Sequence, residues 1–131
     1  LERLVRDLGL QKRVSLPGAA QSIHSKLLEA DIFVLSSHHE GFPNSLCEAM
    51  ACGLPVIGFD CPSGPRAIMR DGIDGILVQP GDIDALSRAI QRLIDDPTFR
   101  SHLSENAPLV LERFGMNRVM SEWERLIHAH L

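Results

Sequence analysis

Hydrophobic residues occur along the chain in two patterns, as short uninterrupted runs and as longer stretches in which apolar positions recur at helical spacing. The uninterrupted runs predict four short strands, within residues 14–16, 31–37, 55–59 and 75–78. The run in residues 31–37 is apolar enough to predict a strand that is buried on both faces. Because these strands alternate with helical patterns, the sequence predicts an α/β fold with a parallel sheet flanked by helices.

Helical spacing and capping residues predict the segments between and after the strands. Ser22 and Asp82 are suitable N-caps, and Pro43 and Pro97 are suited to a first helical turn. The predicted helices cover about residues 1–8, 22–30, 43–52, 64–70 and 82–94, a segment that Pro97 opens, and a last helix that contains Val119, Trp123, Leu126 and Ile127.

Length and composition predict one globular domain. The chain has 131 residues, of which 44% are hydrophobic and 23% charged. Its net charge is −4 and it contains no run of Lys or Arg, which argues against a nucleic-acid surface. No apolar run is long enough for a membrane span. The three cysteines, Cys47, Cys52 and Cys61, have no metal-ligand spacing, and we expect reduced structural thiols.

Two carboxylates stand out between the second and third predicted strands. Glu40 ends a loop just before Gly41, and Glu48 follows after seven intervening residues, inside the predicted helix. The neighbours of Glu48 are mostly apolar or small, so we expect a buried carboxylate that needs a partner. The hydroxyls of a sugar or ribose would suit it, and pairing with Arg66 is the structural alternative. For Glu40 the structural alternative is a solvated loop residue.

The start of that helix is a candidate anion site. It follows a strand and a glycine turn, and its free backbone N–H groups and dipole favour a phosphate. The N–H groups of Asn44, Ser45 and Leu46 are the expected donors, and Gly64 opens a second such turn. A pyrophosphate at the helix start and a ribose about one and a half turns along would match the roughly 7.5 Å rise from Pro43 to Glu48. The alternative is an ordinary βα turn that binds nothing.

Four motifs in this order resemble one family, the retaining nucleotide-sugar glycosyltransferases with two Rossmann-like domains (the GT-B type, group 1, similar to family 4). They are Glu40-Gly41-Phe42-Pro43 with Glu48 at its spacing, the continuation 49–57, the segment 61–66, and the segment 71–78. The resemblance covers nearly the whole chain. It implies a Rossmann-like sheet and one C-terminal donor-binding domain, residues 1–131. Since the chain begins at Leu1 within a predicted helix, we expect a piece of a longer protein.

The resemblance also implies roles for residues. Glu40 would lie by the transferred sugar as the catalytic residue, and transfer would retain the anomeric configuration. The donor-binding set expected from the resemblance and from the helix start comprises His39, Gly41, Phe42, Pro43, Asn44, Ser45, Leu46, Glu48, Gly64 and Arg66. Either His38 or His39 could contact the sugar or transfer a proton, although a polar loop rim explains both. Ala67 departs from the pattern, which often has Glu there.

No metal or other cofactor is expected. Asp82 and Asp84 have the spacing of an acidic metal-binding pair, but an N-cap and a first-turn carboxylate explain them fully. Asp71-Gly72 and Asp74-Gly75 are interpreted as turns. Two other functions remain as alternatives: a sugar-nucleotide epimerase of related fold, and a non-catalytic Rossmann-like or receiver-like module.

The expected reaction of the full-length protein is transfer of a hexose or N-acetylhexosamine from a nucleotide-diphosphate sugar, with UDP as the first guess. The acceptor would be a glycan or a lipid-linked molecule bound through an N-terminal domain outside this chain. We expect a cytoplasmic protein at the inner face of the membrane, with peripheral membrane association. The last helix, with Trp123, resembles one that crosses back to the partner domain, so in this chain its apolar face must find another surface or be partly exposed.

Overall fold

The computed structural model describes residues 1–129. Three strands, β1 (Phe33–Leu35), β2 (Val56–Phe59) and β3 (Ile76–Val78), form one sheet in the order β1-β2-β3. Both pairings are parallel, with Phe33 opposite Val56 and Ile57 opposite Ile76. The predicted α/β class with a parallel sheet flanked by helices is therefore confirmed.

Seven α-helices and two short 3-10 helices surround this sheet within residues 1–129. The α-helices are α1 (Glu2–Asp7), α2 (Ile23–Leu28), α3 (Asn44–Ala51), α4 (Ile83–Asp95), α5 (Pro97–Asn106), α6 (Val110–Phe114) and α7 (Met116–His128). The 3-10 helices are Pro65–Ala67 and Ala107–Leu109. Ser22 and Asp82 cap α2 and α4 as predicted, since their side chains accept hydrogen bonds from the N–H groups of Ser25 and Ala85.

The core lies on both faces of β2, whose residues are all buried. Val56 belongs to a cluster with Leu46 and Met50 of α3. Ile57 belongs to a second cluster, on the side of α4 and α5. Successive strand residues point to opposite faces, so the continuous apolar run of β2 is what a doubly covered strand requires. The packing of α3 against one face of β2 places the start of α3 at the carboxyl edge of the sheet.

Two strand predictions were wrong. Residues 14–18 form no strand, because the N–H of Val14 donates to Leu10 O in a local turn and Pro17 has no N–H to offer a ladder. The sheet therefore has three strands within the described residues rather than four. β1 is also not buried on both faces, since within residues 1–129 it pairs with β2 alone and Val34 is 37% exposed.

One helical segment also differs from the sequence prediction, and another agrees with it. The helix expected over residues 64–70 is a single 3-10 turn, because the N–H of Arg70 donates to the Asp74 carboxylate at 2.6 Å instead of extending the helix. The last helix, α7, has the expected exposed apolar face: it contains no buried residue, and Trp123 is 59% exposed. None of the helices in residues 1–129 is long and apolar enough to cross a membrane.

Candidate donor-binding site

The loops that follow the three strands meet at the carboxyl edge of the sheet. The His38 ring, after β1, lies 5.8 Å from the Phe59 ring at the end of β2. The same ring places Cε1 3.8 Å from a Cβ built on Gly81, which follows β3. Parallel strands end at a common edge, which is the usual ligand-binding edge of an open α/β sheet.

Glu40 lies against the turn that follows β2. A Cβ built on Gly64 would be 3.5 Å from Glu40 Cβ and 2.7 Å from Cys61 Sγ. Gly64 is buried and Glu40 is half-buried, and a side chain on Gly64 would be blocked by Cys61 rather than by Glu40. Ser63, next to it, has φ 56°, a left-handed conformation uncommon for serine. The sequence pattern gave no sign of this strained position.

The start of α3 offers fewer backbone donors than expected. The N–H of Asn44 donates to Phe42 O at 2.9 Å, and the N–H of Leu46 donates to Pro43 O at 3.0 Å. Within residues 1–129 the N–H of Ser45 makes no backbone hydrogen bond, and its side chain is exposed. Of the three expected donors, only Ser45 thus remains available to an anion. The Leu46 side chain is fully buried in the core.

Glu48 is exposed, so the expectation of a buried carboxylate was wrong. Leu46, Ala49 and Met50 occupy the inward face of α3, and Glu48 lies two residues from Leu46 on the opposite side. In the part of the chain that the structure describes, its carboxylate makes no ion pair. The exposed Ser45 is three residues before it and therefore on the same face.

Gly41 and Phe42 carry the chain from Glu40 to α3. Both are exposed, while Pro43 is buried. The Phe42 ring meets the Phe114 ring edge-on, with centroids 5.5 Å apart and planes at 61°. The contact ties the loop to the end of α6.

Arg66 pairs with Asp60 and not with Glu48. Its Nε donates to Asp60 Oδ1 at 2.8 Å, and its Nη2 donates to Asp60 Oδ2. These hydrogen bonds hold the pKa of Asp60 below its usual range and raise that of Arg66. The pair lines an open cavity of about 490 Å³ beside Ser63 and Gly64. The alternative in which Arg66 pairs with Glu48 was therefore wrong.

Both histidines are exposed, and His38 also contacts the Phe59 ring and approaches Gly81 at the edge of the sheet. Both precede Glu40, and no sequence signal separates two adjacent histidines in a loop. Asp82 accepts from the N–H of Ala85 at 2.8 Å, as its N-cap interpretation predicts. No group of three or more His, Cys, Asp or Glu side chains within residues 1–129 is arranged to hold a metal ion.

Comparison with known proteins adds the family. The model of the glycosyl transferases group 1 family matches residues 1–110. The chain belongs to this family. It is 37% identical over 105 residues to the lipopolysaccharide core biosynthesis glycosyltransferase LpsE of Rhizobium meliloti, which covers 80% of the chain and 31% of LpsE. The epimerase and non-catalytic alternatives are not favoured by these matches.

Two solved structures extend the comparison. Anabaena HepE in complex with UDP is 25% identical, with a TM-score of 0.93 over 98% of this chain and 35% of HepE. The C-terminal domain of the group 1 glycosyl transferase LpcC from Francisella tularensis is 29% identical, with a TM-score of 0.73 over 86% of this chain and 58% of that one. The fold is therefore that of GT-B glycosyltransferases. Across eight curated relatives, the chain spans 14% to 39% of their lengths.

Proposed function

We propose that this chain is the C-terminal donor-binding domain of a retaining glycosyltransferase. The full-length protein would transfer a hexose or N-acetylhexosamine from a UDP-linked donor to a glycan or a lipid-linked acceptor. The observation that carries the proposal is the approach of Glu40 to Gly64 beside the start of α3. This contact brings Glu40 and the Gly64 turn together at the carboxyl edge of the sheet.

The donor pyrophosphate would bind at the start of α3. Ser45 lies in the first turn of α3, where the helix dipole is positive, and its N–H makes no backbone hydrogen bond within residues 1–129. Negative charge grows on the β-phosphate as the sugar leaves, and fixed N–H donors stabilise such charge in advance. This arrangement needs no metal ion. Gly41, Phe42, Pro43 and Asn44 would shape the turn that leads into it.

Glu48 would accept hydrogen bonds from the ribose hydroxyls. Ser45 and Glu48 are both exposed on one face of α3, separated by a rise of roughly 4.5 Å. A nucleotide lying along that face would place its ribose by the carboxylate. The exposure that contradicts the buried-carboxylate prediction therefore suits this role.

Glu40 would lie by the transferred sugar, on the other side of the pyrophosphate from Glu48. His39, Gly64 and Arg66 would complete the donor side of the cleft. Nε and Nη2 of Arg66 donate to Asp60, which leaves its Nη1 to contact a phosphate. Retention of configuration follows the resemblance to the retaining enzymes and is proposed on that ground.

The acceptor would be bound by a further domain, since the chain spans about a third of relatives such as LpsE. The likeness to the C-terminal domain of LpcC supports the assignment of this chain to the corresponding half. A peripheral position at the cytoplasmic face of the membrane fits lipid-linked acceptors and belongs to the same proposal. Cell fractionation of the full-length protein tests it.

Calorimetric titration of the chain with UDP, GDP, ADP and UDP-N-acetylglucosamine tests the donor site. Binding of one nucleotide class that weakens about tenfold or more in Glu48→Gln, through loss of charge-assisted hydrogen bonds, is the expected result. Glu105→Gln, an exposed glutamate on α5, is the matched control and should bind as the wild type does. Equal binding by Glu48→Gln and the wild type would contradict the ribose role.

Turnover by the full-length protein tests the catalytic assignment. Glu40→Gln should lower kcat while donor binding persists, because the proposed contact of Glu40 is with the transferred sugar. The anomeric configuration of the product, read by NMR, tests retention. Wild-type turnover by Glu40→Gln would overturn the assignment of Glu40.

A further inference from the structure

A thiol and an imidazole meet at the end of α3 opposite to the proposed donor site. Cys52 is the C-cap of α3, and His24 lies in the first turn of α2, 28 positions earlier in the chain. Cys52 Sγ and His24 Nδ1 are 3.4 Å apart, within hydrogen-bonding distance for sulfur. A nucleophile with a base at this distance is the usual arrangement of an activated thiol. Neither residue has a role in the proposed transfer reaction.

The pair is open to small molecules. His24 is exposed, and half-buried Cys52 lines a cavity of about 310 Å³ between α2 and α5. The other two thiols are in poorer positions. Cys61 is buried, and burial raises the pKa of the Cys47 thiol, with Glu48 adding to the rise and Arg113 opposing it.

We propose that Cys52 and His24 form a reactive thiol–imidazole pair that undergoes exchange with low-molecular-weight disulfides. The Cys52 proton passes to His24 Nδ1, and the thiolate attacks one sulfur of the disulfide. The new bond joins Cys52 Sγ to that sulfur, and the old S–S bond breaks. The leaving thiolate takes the proton from the imidazolium, so one thiol and one mixed disulfide result and no other oxidant is needed.

Cys52 lies at the C-terminal end of α3, and this position acts on the ion pair that proton transfer to His24 would create. The C-terminal end of α3 carries partial negative charge, which stabilises a cation and disfavours a lone thiolate. A thiolate formed there would be stabilised by the imidazole that takes its proton, 3.4 Å away. The charged side chains that line the cavity are Asp31, before β1, and Arg100 of α5, whose Nη1 donates to Leu93 O.

The test is the rate of reaction of the chain with dithiodipyridine, a disulfide whose released thione absorbs light, with the modified cysteine identified by peptide mass spectrometry. Cys52 should react first. In His24→Gln the rate at Cys52 should fall about tenfold near pH 7 and equal that of the wild type above about pH 9, where thiolate forms without the imidazole. His102→Gln changes an exposed histidine on α5 and is the matched control.

Three results would overturn the proposal. Cys52 would react no faster than Cys47 or Cys61, or His24→Gln would keep the wild-type rate near neutral pH, or His102→Gln would lower the rate as much as His24→Gln does. Because His24 is exposed, its substitution should leave the fold intact, and far-UV circular dichroism of each variant checks this. Donor binding is a separate measurement, so failure of this proposal leaves the transferase proposal unaffected.

Discussion

Arg113 of α6 donates from Nη2 to the buried carboxylate of Asp74 at 3.0 Å and from Nη1 to Ile68 O at 2.6 Å. Asp74 also accepts from the N–H and Nε of Arg70 at 2.6 and 2.7 Å. The turn before β3 is thus fastened to a helix 39 residues later. The ion pairs are well hydrogen-bonded, so the carboxylate tolerates complete burial.

The first prediction concerns this buried carboxylate. Asp74→Ala removes the acceptor of three hydrogen bonds and leaves the Arg70 and Arg113 guanidinium groups without their carboxylate partner. The loss should cost about 3 kcal/mol in the free energy of unfolding. Urea denaturation measures it. Glu29→Ala, which breaks an exposed pair with Lys26, should barely change the midpoint. Similar midpoints for the two variants would contradict the structural role of Asp74.

The second prediction concerns the close approach at the site edge. Gly64→Ala places a methyl group 2.7 Å from Cys61 Sγ and 3.1 Å from Cys61 O, and should destabilise the chain by about 2 kcal/mol. Gly41→Ala is the matched control, since a Cβ there meets nothing within 4 Å and its φ is not in the left-handed region. Urea midpoints compare the two. Full stability in Gly64→Ala would mean that Cys61 can move aside to make room for the methyl group.

The sequence-based predictions were correct where the structure of a segment depends only on its own residues. The β2 run is apolar at every position and the structure buries all of it, and the caps at Ser22 and Asp82 depend only on residues three positions away. Residues 14–16 have the apolar pattern of a strand, but a strand also needs a neighbouring strand with free N–H and C=O groups. That requirement is not local, and here a turn back to Leu10 took the N–H of Val14 instead.

The sequence predicted which loops form the site, but it did not predict the partners of the side chains in those loops. The apolar neighbours of Glu48 indicated that its side chain is buried. Its exposure instead depends on which side of α3 packs against the sheet. Asp74 was interpreted as a turn residue because Gly75 follows it, and no local pattern shows its partner Arg113, which is 39 residues away. Arg66 was considered as a partner of Glu48, and the structure instead pairs it with Asp60, just after β2.

The third prediction concerns pH and the Asp60–Arg66 pair. Hydrogen bonds from Arg66 lower the pKa of Asp60 in the folded chain. A depressed folded-state pKa means that the pair stabilises the fold above the unfolded-state pKa of about 3.9, and that this contribution is lost as the pH falls through the folded-state value. NMR titration of the Asp60 carboxyl carbon should show a midpoint below the usual range. In Arg66→Gln the midpoint should rise towards that range. An unchanged midpoint would mean that Arg66 does not hold this carboxylate in solution.

The last prediction concerns the contact between Phe42 and Phe114. The rings meet edge-on at 5.5 Å, and Phe114 packs against the core cluster of α3 while Phe42 is 48% exposed. Such a pair contributes about 1 kcal/mol beyond the area it buries. In a double-mutant cycle, Phe42→Ala and Phe114→Ala should therefore show a coupling of about this size in the free energy of unfolding. Phe99→Ala paired with Phe42→Ala is the control cycle, because Phe99 packs in the other core cluster and should be uncoupled. Phe114→Ala should also weaken nucleotide binding, since it releases the loop between Glu40 and α3. Additive effects in the first cycle would mean that α6 does not hold this loop, and the position of Glu40 would then depend on the Gly64 turn alone.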